Sequence, residues 1–189
     1  MINIIGGLYK RTNLSVPMND VRPTSSQKRE AIFSILESNS LKNSYILYKN
    51  KCFIDLFAGS GSLGLEAISR GANYCYFYEK NDYVISNLEK NCLKICKNNN
   101  YQIISGDIHL SNFEEINLPI STIFIDPPYA IKDFKLILNK LNVLKNLNIK
   151  TNIVIESHIN TKIIYPQKFK LFKEKKIGIS KITFLKVQN

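Results

Sequence analysis

Short runs of consecutive apolar residues alternate along this chain with longer segments in which apolar residues recur every three or four positions. The first pattern is typical of strands that are buried on both faces of a sheet, and the second of helices that pack on it. The runs predict core strands at 52–57, 74–79, 101–104, 120–125 and 152–155. The recurring pattern predicts helices from a glycine-rich turn to about residue 70, at 82–97 and at 134–144.

The chain begins with two short strand-like pieces and ends with two longer segments that alternate like an antiparallel hairpin. We predict an N-terminal β-hairpin from residues 2–5 and 14–16, and a C-terminal one from 169–175 and 177–187. A helix capped by Thr24 or Ser25 is predicted to run to about Leu36, and 38–51 are predicted to be a linker with a short helical piece. This order predicts an α/β fold with a doubly wound, mostly parallel sheet.

The composition limits the domain count and hints at a polyanionic partner. A chain of 189 residues with 44% hydrophobic residues is long enough for one full core, so we expect one domain with a small extension. The net charge of +11 comes mostly from lysine in a chain rich in Asn and Ile, which makes it weak evidence by itself. Three of the four arginines, Arg11, Arg22 and Arg29, fall within the first thirty residues, and this clustering predicts a phosphate-facing surface there.

Several classes of protein are disfavoured by features that the chain lacks. No apolar run approaches the length of a membrane span, and the N-terminus does not resemble a signal peptide, so we expect a cytoplasmic protein. The four cysteines fit a reducing compartment. Together with two histidines they form no recognisable zinc set, so we expect no metal.

The run 123–129 ends a buried strand with Asp126, followed by Pro127, Pro128 and Tyr129. Two prolines give the backbone a fixed, extended course beyond the strand, where open α/β sheets bind ligands. An acceptor carboxylate, a rigid carbonyl and an aromatic face suit a planar heterocycle with an exocyclic amine. This stretch resembles the Asp/Asn-Pro-Pro-Tyr/Phe motif of methyltransferases that modify exocyclic amino nitrogens of bases.

Gly59, Gly61 and Gly64 match the fingerprint of a nucleotide-binding loop, and Glu79 lies near the distance expected for a carboxylate on a ribose. Taken alone, this pattern would indicate a nicotinamide dehydrogenase. Asp55 and Glu66, however, flank the loop and would repel a pyrophosphate, whereas they would attract a cationic ligand. We therefore expect S-adenosylmethionine, which carries a sulfonium and an ammonium group.

A resemblance to one family covers nearly the whole chain. It rests on the N-terminal Ile-Ile-x-Gly, Arg22-Pro23-Thr24, the helix with Phe-Ser-Ile-Leu, the Asp-Leu-Phe-Ala-Gly-Ser-Gly loop and Asp-Pro-Pro-Tyr. These motifs resemble the small-subunit rRNA guanine-N2 methyltransferases of the RsmD type. The chain departs from that pattern at its hairpin tip, where one arginine and a lysine stand in place of several basic residues, and this bears on docking more than on chemistry.

The resemblance implies a Rossmann-like methyltransferase fold with a seven-stranded sheet, and a division into an RNA-docking extension at 1–38 and a methyltransferase domain at 39–189. It implies that Asp107 accepts from the adenine amine and that Glu79 holds the ribose. The expected catalytic residues are Asp126, Pro127, Pro128 and Tyr129. The expected cofactor contacts are Asp55, Phe57, Ala58, Gly59, Ser60, Gly61, Glu79, Lys80, Gly106, Asp107 and Asp126. The expected RNA contacts are Arg11, Arg22 and Arg29, of which Arg29 is predicted to lie opposite the apolar face of its helix. The alternative that this helix only packs on the sheet as a cover remains open.

The expected reaction is transfer of a methyl group to the exocyclic N2 of a guanine in 16S rRNA, within the 30S subunit or its assembly intermediate. We expect a monomer. Two alternatives remain open: a DNA adenine-N6 methyltransferase using the same four residues, and a non-catalytic ribosome-assembly factor that retains a nucleotide fold. The first usually needs an added target-recognition domain, for which this chain has no length.

Overall fold

A computed structural model describes residues 2–17, 24–97, 100–108, 113, 116–128, 134–142, 144 and 146–188. Its strands are β1 (Ile2–Asn3), β2 (Asn13–Leu14), β3 (Cys52–Asp55), β4 (Tyr74–Glu79), β5 (Tyr101–Ser105), β6 (Ile120–Ile125), β7 (Asn152–His158), β8 (Phe169–Ile177) and β9 (Ser180–Val187). Its helices are α1 (Ser26–Lys42), α2 (Ser62–Ser69), α3 (Asp82–Ile95) and α4 (Phe134–Asn142).

Strands β3 to β9 form one seven-stranded sheet in the order β5-β4-β3-β6-β7-β9-β8. The first five strands in that order are parallel, and β9 then pairs antiparallel with both β7 and β8. The strand order reverses between β3 and β6, where ligands bind in open α/β sheets. The predicted α/β fold with a C-terminal antiparallel hairpin is confirmed.

Alternate residues of each core strand enter two apolar layers on opposite faces of the sheet. Phe53, Phe77 and Phe124 pack on one face with α1, α2 and α3, while the residues between them pack on the other face with α4. Because both faces are covered, β3 and β6 are buried along their whole length, which explains why their sequences are mostly apolar.

The predicted N-terminal hairpin is confirmed, and it packs tightly on the end of α2. Ile2 pairs with Leu14 across the hairpin, and Leu8 N donates to Ser69 O at 2.7 Å. Gly7 has a φ of 76°, and a Cβ there would lie 1.9 Å from Ser69 O, so only glycine fits. This contact buries the outer side of α2, every residue of which is buried.

Helix α1 is longer than predicted. It begins after Ser25, whose side chain accepts from Lys28 N, and it continues past Leu36 to Lys42. The helix end predicted near Leu36 is therefore too early, because Ser40 continues the buried face one turn beyond Leu36. The helix also runs through the boundary predicted after residue 38. No helix in the described part of the chain is long and apolar enough to cross a membrane.

Candidate active site

Acidic side chains stand at the carboxyl ends of all five parallel strands. Asp55 ends β3, Glu79 ends β4, and Asp107 follows β5 by two residues. Asp126 and Glu156 follow the residues Ile125 and Ile155, which are paired across β6 and β7. Because parallel strands end at the same edge of a sheet, these carboxylates share one edge. The resulting edge is acidic on a protein whose net charge is +11.

The glycine-rich turn between β3 and α2 is held against the end of β4. Gly59 and Gly61 adopt φ values of 52° and 80°, a left-handed backbone conformation that residues other than glycine rarely adopt. Gly59 N donates to Glu79 Oε2 at 2.9 Å, and Ala58 N donates to Tyr78 O at 2.9 Å. The loop and the β4 carboxylate are therefore neighbours, as the predicted cofactor site requires.

Asp55 is buried beneath this loop with an unused acceptor. Its Oδ2 accepts from Gly64 N at 3.3 Å, whereas its Oδ1 has no partner among the described residues. Burial, together with the nearby charge of Asp126, raises the pKa of Asp55 to about 7, against the opposing effect of the backbone N–H donors of Gly64 and Phe57. A buried, under-bonded carboxylate fits a cationic ligand that donates hydrogen bonds, such as the ammonium of S-adenosylmethionine.

The remaining predicted cofactor residues lie around the same edge. Gly106 N donates to the backbone oxygen of Glu79 at 3.0 Å, which joins the ends of β4 and β5. Lys80 Nζ lies 3.9 Å from Asp107 Oδ2 in a largely exposed ion pair. Phe57 is half-buried, while Ala58 and Ser60 are buried within the loop. The structure thus gathers the predicted set at one edge.

Asp126 directly follows β6, and its carboxylate accepts a hydrogen bond from a residue just before α1. Thr24 Oγ1 donates to Asp126 Oδ2. Burial raises the pKa of Asp126 above its ordinary value, and the negative charge of Glu156 raises it further, while the Thr24 hydrogen bond and the charge of Lys28 act in the opposite direction. Pro127 is buried and Pro128 is exposed. Tyr129 lies outside the described residues.

Sequence reasoning missed the side chains that surround Asp126. Lys28 Nζ forms an ion pair with Glu156 Oε1, and Ser180 Oγ donates to the same oxygen at 2.9 Å. Glu156 could have been found, because in the sequence it follows the apolar run 153–155 in the same way as Asp126 follows the run that ends β6, although β7 itself continues to His158. Lys28 carries no comparable sequence signal, whereas Thr24 stands in the Arg22-Pro23-Thr24 motif on which the family resemblance rests. Both residues reach the site from a distant part of the chain.

Glu66 corrects the electrostatic argument made from the sequence. It was expected to help attract a cationic ligand to the loop, but its carboxylate is buried on the other side of α2. Oε1 accepts from Arg70 Nε and Oε2 accepts from Ile5 N, each at 2.9 Å. Because both oxygens are bonded and arginines balance the charge, Glu66 holds the hairpin instead. Asp55 alone of the two flanking acids supports the cofactor prediction.

Arg29 also corrects a prediction. It was placed on the exposed face of α1 and predicted to contact RNA, but its side chain is 0% exposed. Its Nη2 donates to Asn3 O at 2.9 Å, and its Nη1 lies 3.7 Å from Glu66 Oε2. A guanidinium buried in this way does not contact phosphate. Its spacing of three and four residues from Ile32 and Phe33, both buried, was the signal for the inner face.

The other two arginines of the predicted RNA surface have different outcomes. Arg11 is exposed near the tip of the N-terminal hairpin, with a φ of 73°. Arg22 lies outside the described residues. The predicted RNA surface therefore keeps Arg11 as its described member.

The sheet order, the glycine-rich loop and the acids along one sheet edge define a Rossmann-like methyltransferase fold. The family model described as Conserved hypothetical protein 95 matches residues 2–186, and the chain belongs to this family.

Known proteins support this placement over nearly the full length. The chain is 35% identical to the ribosomal RNA small subunit methyltransferase D of Buchnera aphidicola subsp. Acyrthosiphon pisum, over 92% of this chain and 87% of that protein. It is 31% identical to the protein of the same name from Escherichia coli K12, over 94% and 85%. The solved yhhF protein of Escherichia coli superposes with a TM-score of 0.80 at 26% identity, covering 100% of this chain and 98% of the other.

Proposed function

We propose that this protein uses S-adenosylmethionine to methylate the exocyclic N2 of a guanine in 16S rRNA of the small ribosomal subunit. The observation that carries the proposal is the half-buried Asp126 directly after β6, followed by the buried Pro127, at the sheet edge that also holds the glycine-rich loop. The names of the curated relatives support rRNA of the small subunit as the substrate.

The residues at the sheet edge fit the proposed cofactor. The orphaned Oδ1 of Asp55 offers an acceptor to the ammonium, and Glu79 offers carboxylate oxygens to the ribose hydroxyls. Asp107 lies beyond β5, where it accepts from the adenine amine in this assignment. When bound, S-adenosylmethionine supplies an electrophilic methyl group on a sulfonium.

Asp126 does the acid–base work in this proposal. The lone pair of the guanine amine is delocalised into the ring, so the nitrogen must become pyramidal before it can take a methyl group. Asp126 and the carbonyl of Pro127 accept the two amine protons and favour that geometry. One proton then passes from the methylated nitrogen to Asp126, which needs no strong base because that nitrogen is very acidic. Tyr129 stays proposed as the stacking partner of the flipped base.

A radiolabelled methyl-transfer assay tests the proposal and its rivals. Purified protein is incubated with labelled S-adenosylmethionine and, separately, unmethylated 30S subunits, naked 16S rRNA and duplex DNA. The products are digested to nucleosides and separated. We expect label in N2-methylguanosine from an RNA substrate. Label in N6-methyladenosine from DNA would favour the DNA enzyme, and no transfer to any substrate would favour an assembly factor.

We infer that the N-terminal segment holds rRNA without taking part in chemistry. Arg11 is exposed on a hairpin that is fixed to α2, so a phosphate bound there has a rigid position relative to the active site. Arg22 completes the proposed surface. The 1–38 extension, the 30S subunit or its assembly intermediate as substrate, a monomeric state and a cytoplasmic location belong to this same proposal.

A further inference from the structure

The carboxylate of Glu156 is buried and paired at the site, but one of its two oxygens has no hydrogen-bond partner among the described residues. Its side chain is 7% exposed. Oε1 takes the ion pair with Lys28 and the hydrogen bond from Ser180, whereas Oε2 is buried without a hydrogen-bond partner among the described residues. An unpaired buried carboxylate oxygen is costly, which indicates that a donor from outside the described structure normally meets it.

Glu156 stands beside Asp126. The residues before them, Ile125 and Ile155, are paired in the parallel ladder, so Asp126, directly after β6, and Glu156, within β7, lie side by side at the same level. Burial raises the pKa of Asp126, and the negative charge of Glu156 raises it further, as expected for two carboxyls on neighbouring strands. The edge therefore presents two acceptors side by side.

Two neighbouring acceptors distinguish the purines. The Watson–Crick edge of guanine places two donors next to each other, the exocyclic amine and N1–H, whereas that of adenine places an amine donor next to the N1 acceptor. Guanine therefore pairs with both carboxylates, and adenine turns a lone pair towards one of them. A site that hydrogen-bonds a donor rejects an analogue that lacks it, because the acceptor is left unpaired.

We propose that Glu156 accepts the N1–H of the target guanine while Asp126 accepts from its exocyclic amine, so that Glu156 selects guanine over purines that lack N1–H. This inference rests on the proposed function and names its specificity residue. Lys28 and Ser180 are positioning residues: by bonding Oε1 they leave Oε2 as the oxygen that meets the base. Asp126 carries the chemistry, and Glu156 carries the choice of base.

The test compares guanine with 2,6-diaminopurine, which keeps the 2-amino group but has an acceptor at N1. The guanine that the wild-type protein labels is first mapped, and ligated transcripts then carry either base at that position. We expect the wild-type protein to prefer guanine by about 10- to 100-fold in kcat/KM. In Glu156→Gln the amide N–H₂ can donate to N1 of diaminopurine, so this preference should fall to within a few-fold, about one to five.

Glu30→Gln, at an exposed position of α1, is the matched control and should keep the wild-type preference. Calorimetry with S-adenosylmethionine checks that Glu156→Gln is folded and binds cofactor as before. A wild-type protein that methylates both bases equally would overturn the inference without recourse to any variant. An unchanged preference in Glu156→Gln would also overturn it, while the proposed function would stand. If the wild-type protein labelled no guanine at all, the proposed function itself would fail.

Discussion

Two consecutive residues of α1 serve two buried acids on different sides of the molecule. Lys28 pairs with Glu156 at the sheet edge, and Arg29 pairs with Glu66 beneath the N-terminal hairpin. Both acids are at least nine-tenths buried, and both are paired with a cation of the same helix. Burial and charge pairing alone therefore do not tell a functional carboxylate from a structural one.

The difference lies in the oxygen atoms. Both oxygens of Glu66 accept hydrogen bonds, from Arg70 and from the backbone of Ile5, and the atoms of that cluster without a hydrogen-bond partner among the described residues are donors, Nε and Nη1 of Arg29. At the sheet edge, the atoms without such a partner in the described part of the chain are Asp55 Oδ1 and Glu156 Oε2, and both are acceptors. The first cluster needs nothing further for its anion, whereas the second is prepared for cationic or N–H-bearing ligands.

The largest expected effect tests the functional side of this comparison. Asp126→Ala removes the acceptor of the amine protons and should lower kcat by about 10²- to 10⁴-fold, with the affinity for S-adenosylmethionine nearly unchanged. Asp126→Asn keeps an acceptor oxygen, so its kcat should lie between that of Asp126→Ala and that of the wild type. Methyl transfer to 30S subunits and calorimetry with the cofactor measure both quantities. Wild-type turnover in Asp126→Ala would remove Asp126 from the mechanism.

The structural side is tested at Arg29. Arg29→Ala leaves Glu66 with less compensation in a buried cluster and should lower the free energy of unfolding by about 3 to 5 kcal/mol in a urea titration. Lys42→Ala, at an exposed position of the same helix, is the control and should change it little. If Arg29→Ala were as stable as the wild type but bound rRNA with a weaker salt dependence, Arg29 would belong to the RNA surface after all.

Asp55 connects stability to function through pH. Its pKa is 3.8 in the reference state and about 7 in the folded protein, so the folded protein holds a proton that the unfolded chain has released. Its contribution to stability is present below about pH 4 and is lost as the pH rises through about 7. Asp55→Asn removes the ionised form. Near pH 8 and without cofactor, the free energy of unfolding of this variant should therefore be about 1 to 3 kcal/mol higher than that of the wild type.

The same Asp55→Asn variant should bind S-adenosylmethionine more weakly, because the amide attracts a cation less than the carboxylate does. Urea titrations at several pH values, beside calorimetry, measure the two effects. If the stability of the wild type and of the variant depended on pH in the same way, Asp55 would be ionised over the whole pH range measured. Its burial would then have no energetic cost for the site.

The smallest expected effect concerns the RNA surface. Replacing both Arg11 and Arg22 by alanine should weaken 30S binding and reduce the slope of log affinity against log salt by about one unit for each residue at most. Cofactor affinity and the melting temperature should stay the same. Lys176→Ala, on the edge strand β8, is the control for a general loss of positive charge. An unchanged slope in the double variant would leave the hairpin with its structural role alone.

The sequence alone determined the order of the helices and strands and the acids that end the core strands. Strand periodicity and turn residues are local properties, so β4 and β6 matched the predicted bounds residue for residue. The position of an acid after a buried strand is equally local, and it identified Asp55, Glu79 and Asp126. The length of α1 was harder to predict, because its last turns are polar in sequence and are held by tertiary contacts.

Only the tertiary structure decided which acids are satisfied and which are not. The partner of Glu66 that distinguishes it, Ile5 N, is 61 residues away in sequence, Thr24 is 102 residues from Asp126, and Lys28 is 128 residues from Glu156. No local pattern carries such pairings, since they arise when the hairpin and α1 pack on the finished sheet. Hydrogen-bond saturation is a property of the folded chain, and it separates Glu66, which fastens the hairpin, from Asp55 and Glu156, each of which keeps an oxygen without a hydrogen-bond partner among the described residues.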